Sequence, residues 1–126
     1  MGIHERKERE KEQRREEILD AAQCVFFEKG LATATMDEIA ETAELSKGTL
    51  YLYYKSKEDL YLAVMMRGME ILLEMLAEVV RSNDSVPKML IRLRDAYTAY
   101  FNNHRDYFRM MHFLQTPQFH KQVDDE

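Results

Sequence analysis

Tryptophan, cysteine, proline and glycine are all scarce in this sequence of 126 residues. It has no tryptophan, one cysteine, two prolines and four glycines. A single cysteine excludes an internal disulfide and is typical of a protein in a reducing compartment. Few residues interrupt helices, and nowhere do apolar and polar residues alternate in a sustained, strand-like pattern. The chain is therefore predicted to be all-α.

The sequence also lacks a signal peptide and a convincing membrane span. The first 17 residues are almost all charged, so the apolar run that a signal peptide requires is missing. The apolar segment from Leu60 to Val80 carries four charged side chains, Arg67, Glu70, Glu74 and Glu78. Four charges on one helix would be costly in hydrocarbon. We predict a cytoplasmic protein with no membrane partner.

Basic residues do not outnumber acidic ones in this sequence, and the net charge is −5. Residues 1–57 contain ten Lys or Arg and twelve Asp or Glu, but residues 45–57 contain three lysines and no acid. A small DNA-reading surface needs local positive potential rather than a basic protein. The negative net charge therefore does not exclude DNA as a partner, and it predicts a modest non-specific affinity for DNA.

Three helix start signals follow one another closely in the first half of the chain. They are Thr-x-x-Glu, Ser and Ser-x-x-Asp motifs that begin at Thr35, Ser46 and Ser56. The helices between them are too short to be stable alone, so they must pack against each other. This predicts a helix-turn-helix whose second helix, Lys47 to about Tyr54, enters the major groove.

The second of these helices has two contrasting faces. Leu50 and Tyr54 are expected to face inward, with Leu45 just before the helix. The other face carries donors around a glycine: Lys47, Gly48, Thr49, Tyr51 and Tyr53. Glycine allows a close backbone approach, and the free N–H groups of a helix start favour phosphate. The alternative is an ordinary solvated helix, because exposed Tyr and Lys occur on many of these.

The segment from about Arg15 to Leu62 resembles tetracycline-repressor-like (TetR) transcriptional regulators. The shared motifs are ILDAAQCVFFEKG, T-x-x-E-I-A and S-K-G-T-L-Y-x-Y-Y-K-S-K-E-D-L. The resemblance implies a three-helix DNA-binding domain at residues 1–57 and a helical regulatory domain at residues 58–126. Carried across, the DNA contacts fall on Thr35, Ser46, Lys47, Gly48, Thr49, Tyr51, Tyr53 and Lys57.

At two positions the sequence departs from this family's pattern. Glu44 occupies the turn where the family usually has glycine, so a non-glycine residue is expected to adopt a positive φ at some cost. Tyr54 replaces the usual phenylalanine, and its hydroxyl needs a partner or a route to water. Glu44 also adds a negative charge near the expected DNA face.

The helix before the helix-turn-helix is predicted to support it. Residues 14–29 form an amphipathic pattern that Gly30 ends in the left-handed conformation. The core stripe consists of Ile18, Leu19, Ala21, Ala22, Val25 and Phe26, and Cys24 is expected to be inert core. Residues 1–17 are interpreted as a frayed, solvated helical extension. The alternative is an arm whose basic residues, Arg6, Lys7, Arg9 or Lys11, contact DNA.

The second half is predicted to contain a long helix from about Ser56 to Arg81, mostly surrounded by protein. After a loop at 82–85, Ser85 caps a helix to about Phe101, whose apolar stripe is Leu90, Leu93, Tyr97, Tyr100 and Phe101. Asn102-Asn103 ends it, and a short helix spans Asp106 to Leu114. Phe119 begins a further one.

Methionines and aromatic residues are frequent in this half, usually a sign of core packing. The resemblance nevertheless implies a small-molecule pocket, for which Met65, Met69, Tyr97 and Phe101 are the candidates. Methionine suits adaptable pockets, and no cluster of buried charge is evident. We expect an apolar or aromatic ligand.

Taken with the resemblance, these patterns favour a repressor that leaves its operator when a small ligand binds, with no cofactor. A homodimer would read palindromic double-stranded DNA. The sequence ends without the helix pair that the family uses to dimerise, so it is a fragment or it dimerises through other surfaces.

Two rival functions remain open. One is a helical small-molecule or lipid-binding module without DNA binding. The other is a metal-dependent hydrolase that uses His104, His112 and His120. Successive histidines lie about 80° apart on an ideal helix, which is poor for converging ligands. The sequence contains no Ser-His-Asp set, phosphate-binding glycine loop or HExxH motif.

Overall fold

A computed structural model describes residues 2–113 as six α-helices. They are α1 (Ile3–Thr33), α2 (Met36–Thr42), α3 (Lys47–Tyr53), α4 (Lys57–Arg81), α5 (Val86–Asn103) and α6 (Arg105–Phe113). Residues 2–113 contain no strand, and the all-α prediction is confirmed. The predicted helix end at Leu114, the helix start at Phe119 and His120 lie outside the described residues. The chain divides into two compact units between Val64 and Met65, within α4.

The first helix begins earlier than the amphipathic pattern indicates. α1 is regular from Ile3 and not only from residue 14. Its exposed N-terminal part is crossed by ion pairs such as Arg6–Glu10 at 3.3 Å and Arg15–Glu12 at 2.6 Å. Pairs at this spacing each stabilise a helix by about 0.2–0.5 kcal/mol. Together they favour helix in this segment, which is a solvent-exposed helical extension as predicted.

The buried face of α1 matches the predicted stripe, with one exception. All six predicted core residues are buried, and Ile18 and Ala22 have no exposed surface. The prediction for Cys24 is wrong, because its side chain is exposed. Position 24 lies about 200° around the helix from Ala22, on the opposite side from the core. At Gly30, φ is 77° and breaks the helical backbone as predicted, but a last turn continues to Thr33.

The short helices of the first unit close over this face. Ile39, Leu50, Leu60 and Val64 are completely buried. The Tyr61 ring, on α4, meets that of Phe26 edge-on, with centroids 5.2 Å apart. Burial raises the pKa of the Tyr61 hydroxyl to about 12. α1 is thus the support on which the helix-turn-helix packs.

In the second unit, α4 is tied closely to α5 and α6. Tyr100 is fully buried, and its hydroxyl donates a 2.9 Å hydrogen bond to the backbone carbonyl of Gly68. Tyr107 covers the same glycine so closely that a Cβ at position 68 would lie 2.5 Å from the Tyr107 Cδ1. Only glycine allows this approach without displacing the ring.

Much of the apolar surface predicted to be buried in this half is exposed. Leu73 and Val80 on α4 are more than half exposed, so other elements cover this helix less completely than predicted. On α5 the predicted stripe is buried only at Tyr100, whereas Leu90 is 61% and Tyr97 48% exposed. Helical periodicity identified the apolar face but not how much of it other elements cover.

The ends of α5 differ slightly from the prediction. Ser85 occupies the N-cap position, but its side chain makes no capping hydrogen bond. The preceding loop turns at Asn83, whose φ is 58°. α5 includes Asn102 and Asn103, and the break falls at His104, so α6 begins at Arg105 rather than Asp106.

Candidate nucleic-acid interface

The start of α2 is fixed by the predicted Thr35 cap. The Thr35 Oγ1 accepts a 3.1 Å hydrogen bond from the Glu38 N–H and donates one of 3.1 Å to the Glu38 carboxylate. That carboxylate also binds the Lys29 ammonium of α1. The bond to Lys29 lowers the pKa of Glu38 and raises that of Lys29. Thr35 thus caps α2 as predicted, and the Glu38 carboxylate links α2 to α1.

The turn between α2 and α3 has the strained geometry that the family resemblance implies. Glu44 adopts φ 60°. The next residue, Leu45, donates its N–H to the Ala40 carbonyl at 2.9 Å and is half-buried. The left-handed conformation costs a non-glycine residue roughly 1–2 kcal/mol. The turn nevertheless closes, and it directs the chain into α3.

A hydroxyl pair begins α3. The Ser46 Oγ accepts a 3.1 Å hydrogen bond from the Thr49 N–H, and the two hydroxyl oxygens are 2.8 Å apart. The cap confirms the predicted helix start. It also holds two of the predicted DNA-contacting side chains against each other, and this limits their motion before any partner arrives.

The two faces of α3 are arranged largely as predicted. Leu50 is completely buried, whereas Tyr54 lies just beyond the helix and is half-buried. Among the predicted DNA-contacting residues of this segment, four are exposed (Ser46, Lys47, Gly48 and Tyr51), and Thr49 and Tyr53 are half-buried. Each of the six therefore keeps accessible surface, and we call them together the α3 face.

Gly48 lies in open space within this face. A Cβ added there would meet no other atom within 4 Å. The packing of the protein itself therefore gives no reason for glycine at this position. A glycine on an exposed helix is unfavourable by about 1 kcal/mol relative to alanine. Close approach of an external partner would account for it.

Sequence reasoning missed the acid that faces Lys47. Asp37, on α2, lies with its Oδ1 3.2 Å from the Lys47 Nζ, and the same ammonium is 5.9 Å from the centre of the Tyr51 ring. The lysine-rich segment from 45 to 57 contains no acid, but the fold supplies one from another helix. The positive potential of the α3 face is therefore weaker than the local sequence indicates.

Two further side chains were not identified from the pattern. The Arg15 guanidinium, on α1, is 6.0 Å from the centre of the Tyr53 ring and adds a positive charge beside the α3 face. Leu52 is 83% exposed, one turn after Gly48. An exposed leucine beside this glycine could have been recognised as a candidate contact for a thymine methyl group.

Lys57 has a structural contact that the family pattern does not reveal. Its ammonium donates hydrogen bonds to the carbonyls of Ala32 at 3.3 Å and Ala34 at 3.1 Å. These carbonyls lie at the C-terminal end of α1, where a positive charge is favourable. Lysine has three N–H donors, so one is left for a phosphate.

Two of the four predicted ligand-binding residues line separate spaces within residues 2–113. Tyr97 lines a cavity of about 340 Å³ with Leu72, Tyr100, Phe108, Met111 and His112. Phe101 lines a different cleft, of about 450 Å³, with Arg105, Phe108, Arg109 and His112. Met65 is buried, Met69 is half-buried, and neither lines these two spaces.

Residues 2–113 contain no group of three His, Cys, Asp or Glu side chains that could hold a metal ion. Over the same residues, no helix is both long enough and apolar enough to span a membrane.

These features define an all-α protein with an N-terminal helix-turn-helix. Residues 18–64 match the family described as bacterial regulatory proteins, tetR family. The match covers the buried part of α1, the whole of α2 and α3, and the start of α4. Residues 18–64 thus form a TetR-family domain.

Three relatives illustrate the extent of the similarity. The transcriptional activator FasR of Mycolicibacterium smegmatis is 38% identical over 92 residues, which is 73% of this chain and 41% of FasR. The fatty acid metabolism regulator protein of Bacillus subtilis is 31% identical over 74 residues, 59% of this chain and 38% of that protein. A TetR-like transcriptional regulator of Rhodococcus sp. RHA1 aligns with a TM-score of 0.72 at 33% identity, covering 89% of this chain and 62% of that one. The chain thus spans less than half of the first two proteins.

Proposed function

We propose that this protein regulates transcription by inserting the α3 face into the major groove of operator DNA. One observation carries the proposal. Gly48 is exposed, has no neighbour that requires glycine, and lies among Lys47, Thr49 and Tyr51. A rigid, donor-bearing helix with one open position is suited to the floor and backbone of a groove.

The side chains divide into two roles. Lys47, Thr49 and Tyr51 project from the first turns of α3 and read base edges or a thymine methyl group. The second set holds phosphates and fixes the register on the duplex: Thr35, Ser46, Gly48, Tyr53 and Lys57. Arg15 and Leu52, added from the structure, extend the same surface.

Regulation is proposed to depend on a small apolar or aromatic ligand in the second unit, where Tyr97 and Phe101 line two separate spaces. α4 runs from the first unit into the second and is therefore the covalent connection between them. One relative is named as a regulator of fatty acid metabolism, which supports an apolar ligand. We propose that the ligand lowers DNA affinity, as in a repressor.

The operator is proposed to be a palindrome read by a dimer. Two copies of α3 would lie in successive major grooves, with half-site centres about 34–36 Å apart or a multiple of that distance. FasR, named as an activator, shows that a relative of this chain can act in the opposite direction to a repressor. The sign of regulation is therefore tested separately, by transcription from the selected operator with and without the protein.

The DNA-binding proposal is tested with two lysine variants. An operator is first selected from a random DNA pool, and affinities are then measured across its single-base variants. Lys47→Ala is expected to relax sequence preference, because it removes a base contact. Lys57→Ala is expected to weaken binding to all sequences alike, because it removes a phosphate contact.

Lys55→Ala is the matched control, since Lys55 is an exposed lysine in the same segment. Lys57→Ala also removes two hydrogen bonds to α1, so thermal unfolding is measured alongside and binding is compared well below the transition. Equal changes in sequence preference for Lys47→Ala and Lys57→Ala would contradict the assignment.

A ligand- or lipid-binding module that does not bind DNA is the rival function. It predicts no DNA complex at any salt concentration. A TetR-type regulator instead predicts binding whose logarithm falls linearly with the logarithm of salt concentration, because phosphate contacts release counterions.

A further inference from the structure

The corner between α5 and α6 combines positive charge with an aromatic floor. The Phe101 and Phe108 rings meet edge-on, with centroids 4.7 Å apart and planes at 88°. Arg105, Arg109 and His112 recur at i, i+4 and i+7 along α6, so they lie on one face of that helix. These five residues line a cleft of about 450 Å³, within the size range of small-molecule sites.

The charge of this cleft is only partly compensated. The Arg109 guanidinium lies 3.3 Å from the Asp106 carboxylate and is 72% exposed. The Arg105 guanidinium lies over the Phe101 ring at 5.7 Å. A guanidinium on an aromatic ring keeps its charge and its N–H donors, and it can bind a carboxylate or phosphate in a bidentate manner.

A second space, lined mainly by uncharged aromatic side chains, adjoins this basic cleft. Phe108 and His112 line both the cleft and the cavity of about 340 Å³. The remaining walls of that cavity are Leu72, Tyr97, Tyr100 and Met111, and none carries a formal charge. Phe108 and His112 thus have the two arginines on one side and a mainly aromatic lining, with the Tyr97 and Tyr100 side chains, on the other.

The geometry points to a site for an amphipathic anion at this corner: a carboxylate, sulfonate or phosphate on an apolar or aromatic body. The anionic group is held by Arg105 and Arg109, and the apolar body packs on Phe101 and Phe108 toward the adjoining cavity. This site deepens the ligand response proposed above, and rests on it for its regulatory role. It also changes the expected ligand from purely apolar to apolar with one anionic end.

The test compares two fluorescent probes of similar shape. 1-Anilinonaphthalene-8-sulfonate carries an anionic group, whereas N-phenyl-1-naphthylamine is the neutral analogue. The Arg105→Gln/Arg109→Gln variant is expected to bind the sulfonate about two- to thirtyfold more weakly, because it removes two exposed charge contacts. Binding of the neutral probe should change less than twofold. Added salt should weaken the binding of the sulfonate probe and not that of the neutral probe.

Arg94→Gln provides the matched control. Arg94 lies on α5, its side chain is also 72% exposed and paired with an aspartate, and it lines neither space. Equal loss of sulfonate binding in the control would show a bulk-charge effect and overturn the proposal. Unchanged sulfonate binding in the double variant, or equal loss of both probes, would overturn it too. Circular dichroism checks that each variant remains folded.

A second variant tests the aromatic floor. Phe108→Leu should weaken the binding of both probes, because Phe108 lines both spaces. If the variant binds both probes as tightly as the native protein does, the proposed site is contradicted. Operator binding without probe is measured in the same preparations. If the protein does not bind operator DNA, the proposed function is refuted. The probe comparison still decides whether the anion site exists.

Discussion

Replacing Asp37 by Asn is expected to tighten DNA binding even though it removes an ion pair. In the free protein, the Asp37 carboxylate is 3.2 Å from the Lys47 ammonium, and the two side chains are 71% and 56% exposed. An exposed pair of this kind is worth about 0.2–1 kcal/mol. A base or phosphate that binds the Lys47 ammonium must compete with the Asp37 carboxylate. This carboxylate also repels the DNA backbone.

The expected gain follows from that range. Recovering about 0.2–1 kcal/mol corresponds to an affinity about 1.4- to fivefold higher per recognition helix. Asp37→Asn should also make the plot of log affinity against log salt steeper, by up to about 0.9 for each additional cation released. Since Asp37 lies in the first turn of α2, the substitution should slightly lower thermal stability through the helix dipole.

Fluorescence anisotropy with labelled operator at several salt concentrations measures both quantities. Asp95→Asn is the control, because that carboxylate also lies 3.2 Å from a basic group, Arg94, but on α5. It makes the same change in net charge away from the α3 face. Weaker or unchanged DNA binding by Asp37→Asn, or an equal gain in Asp95→Asn, would refute the reasoning.

Two glycine substitutions should have opposite effects on stability. Gly48→Ala should raise the free energy of unfolding by up to about 1 kcal/mol, since the new Cβ meets nothing, and should reduce operator affinity severalfold. Gly68→Ala places a Cβ 2.5 Å from the Tyr107 ring, so overpacking of about 1–3 kcal/mol outweighs the gain in helix propensity and lowers the melting temperature. Chemical denaturation compares the two variants, and a shift of the same sign in both would contradict this account.

Local chemistry predicted the first unit well. The caps at Thr35 and Ser46 and the spacing that predicts a buried Leu50 depend on residues within a few positions of each other, whereas the positive φ at Glu44 is implied by the family resemblance. These interactions close within a single helical turn. A sequence can therefore reveal them without knowledge of the fold.

Contacts between helices could not be predicted in the same way. The approach of Asp37 to Lys47 and of Lys57 to the end of α1 depends on how helices cross, and no local spacing encodes that. Cys24 illustrates a second reason, because an apolar segment of a helix still has a solvent side. The exposure of Leu90 shows that periodicity finds an apolar face without showing what covers it.

Because Gly48 has no neighbour within 4 Å of an added Cβ, selection for folding and selection for operator binding should favour different residues at this position. A library screened only for folded, soluble protein should drift away from glycine there, because any small side chain fits and stiffens the helix. A library screened for occupancy of the operator should retain it. Divergence between the two screens at this single codon would show that the residue serves the duplex and not the protein that carries it.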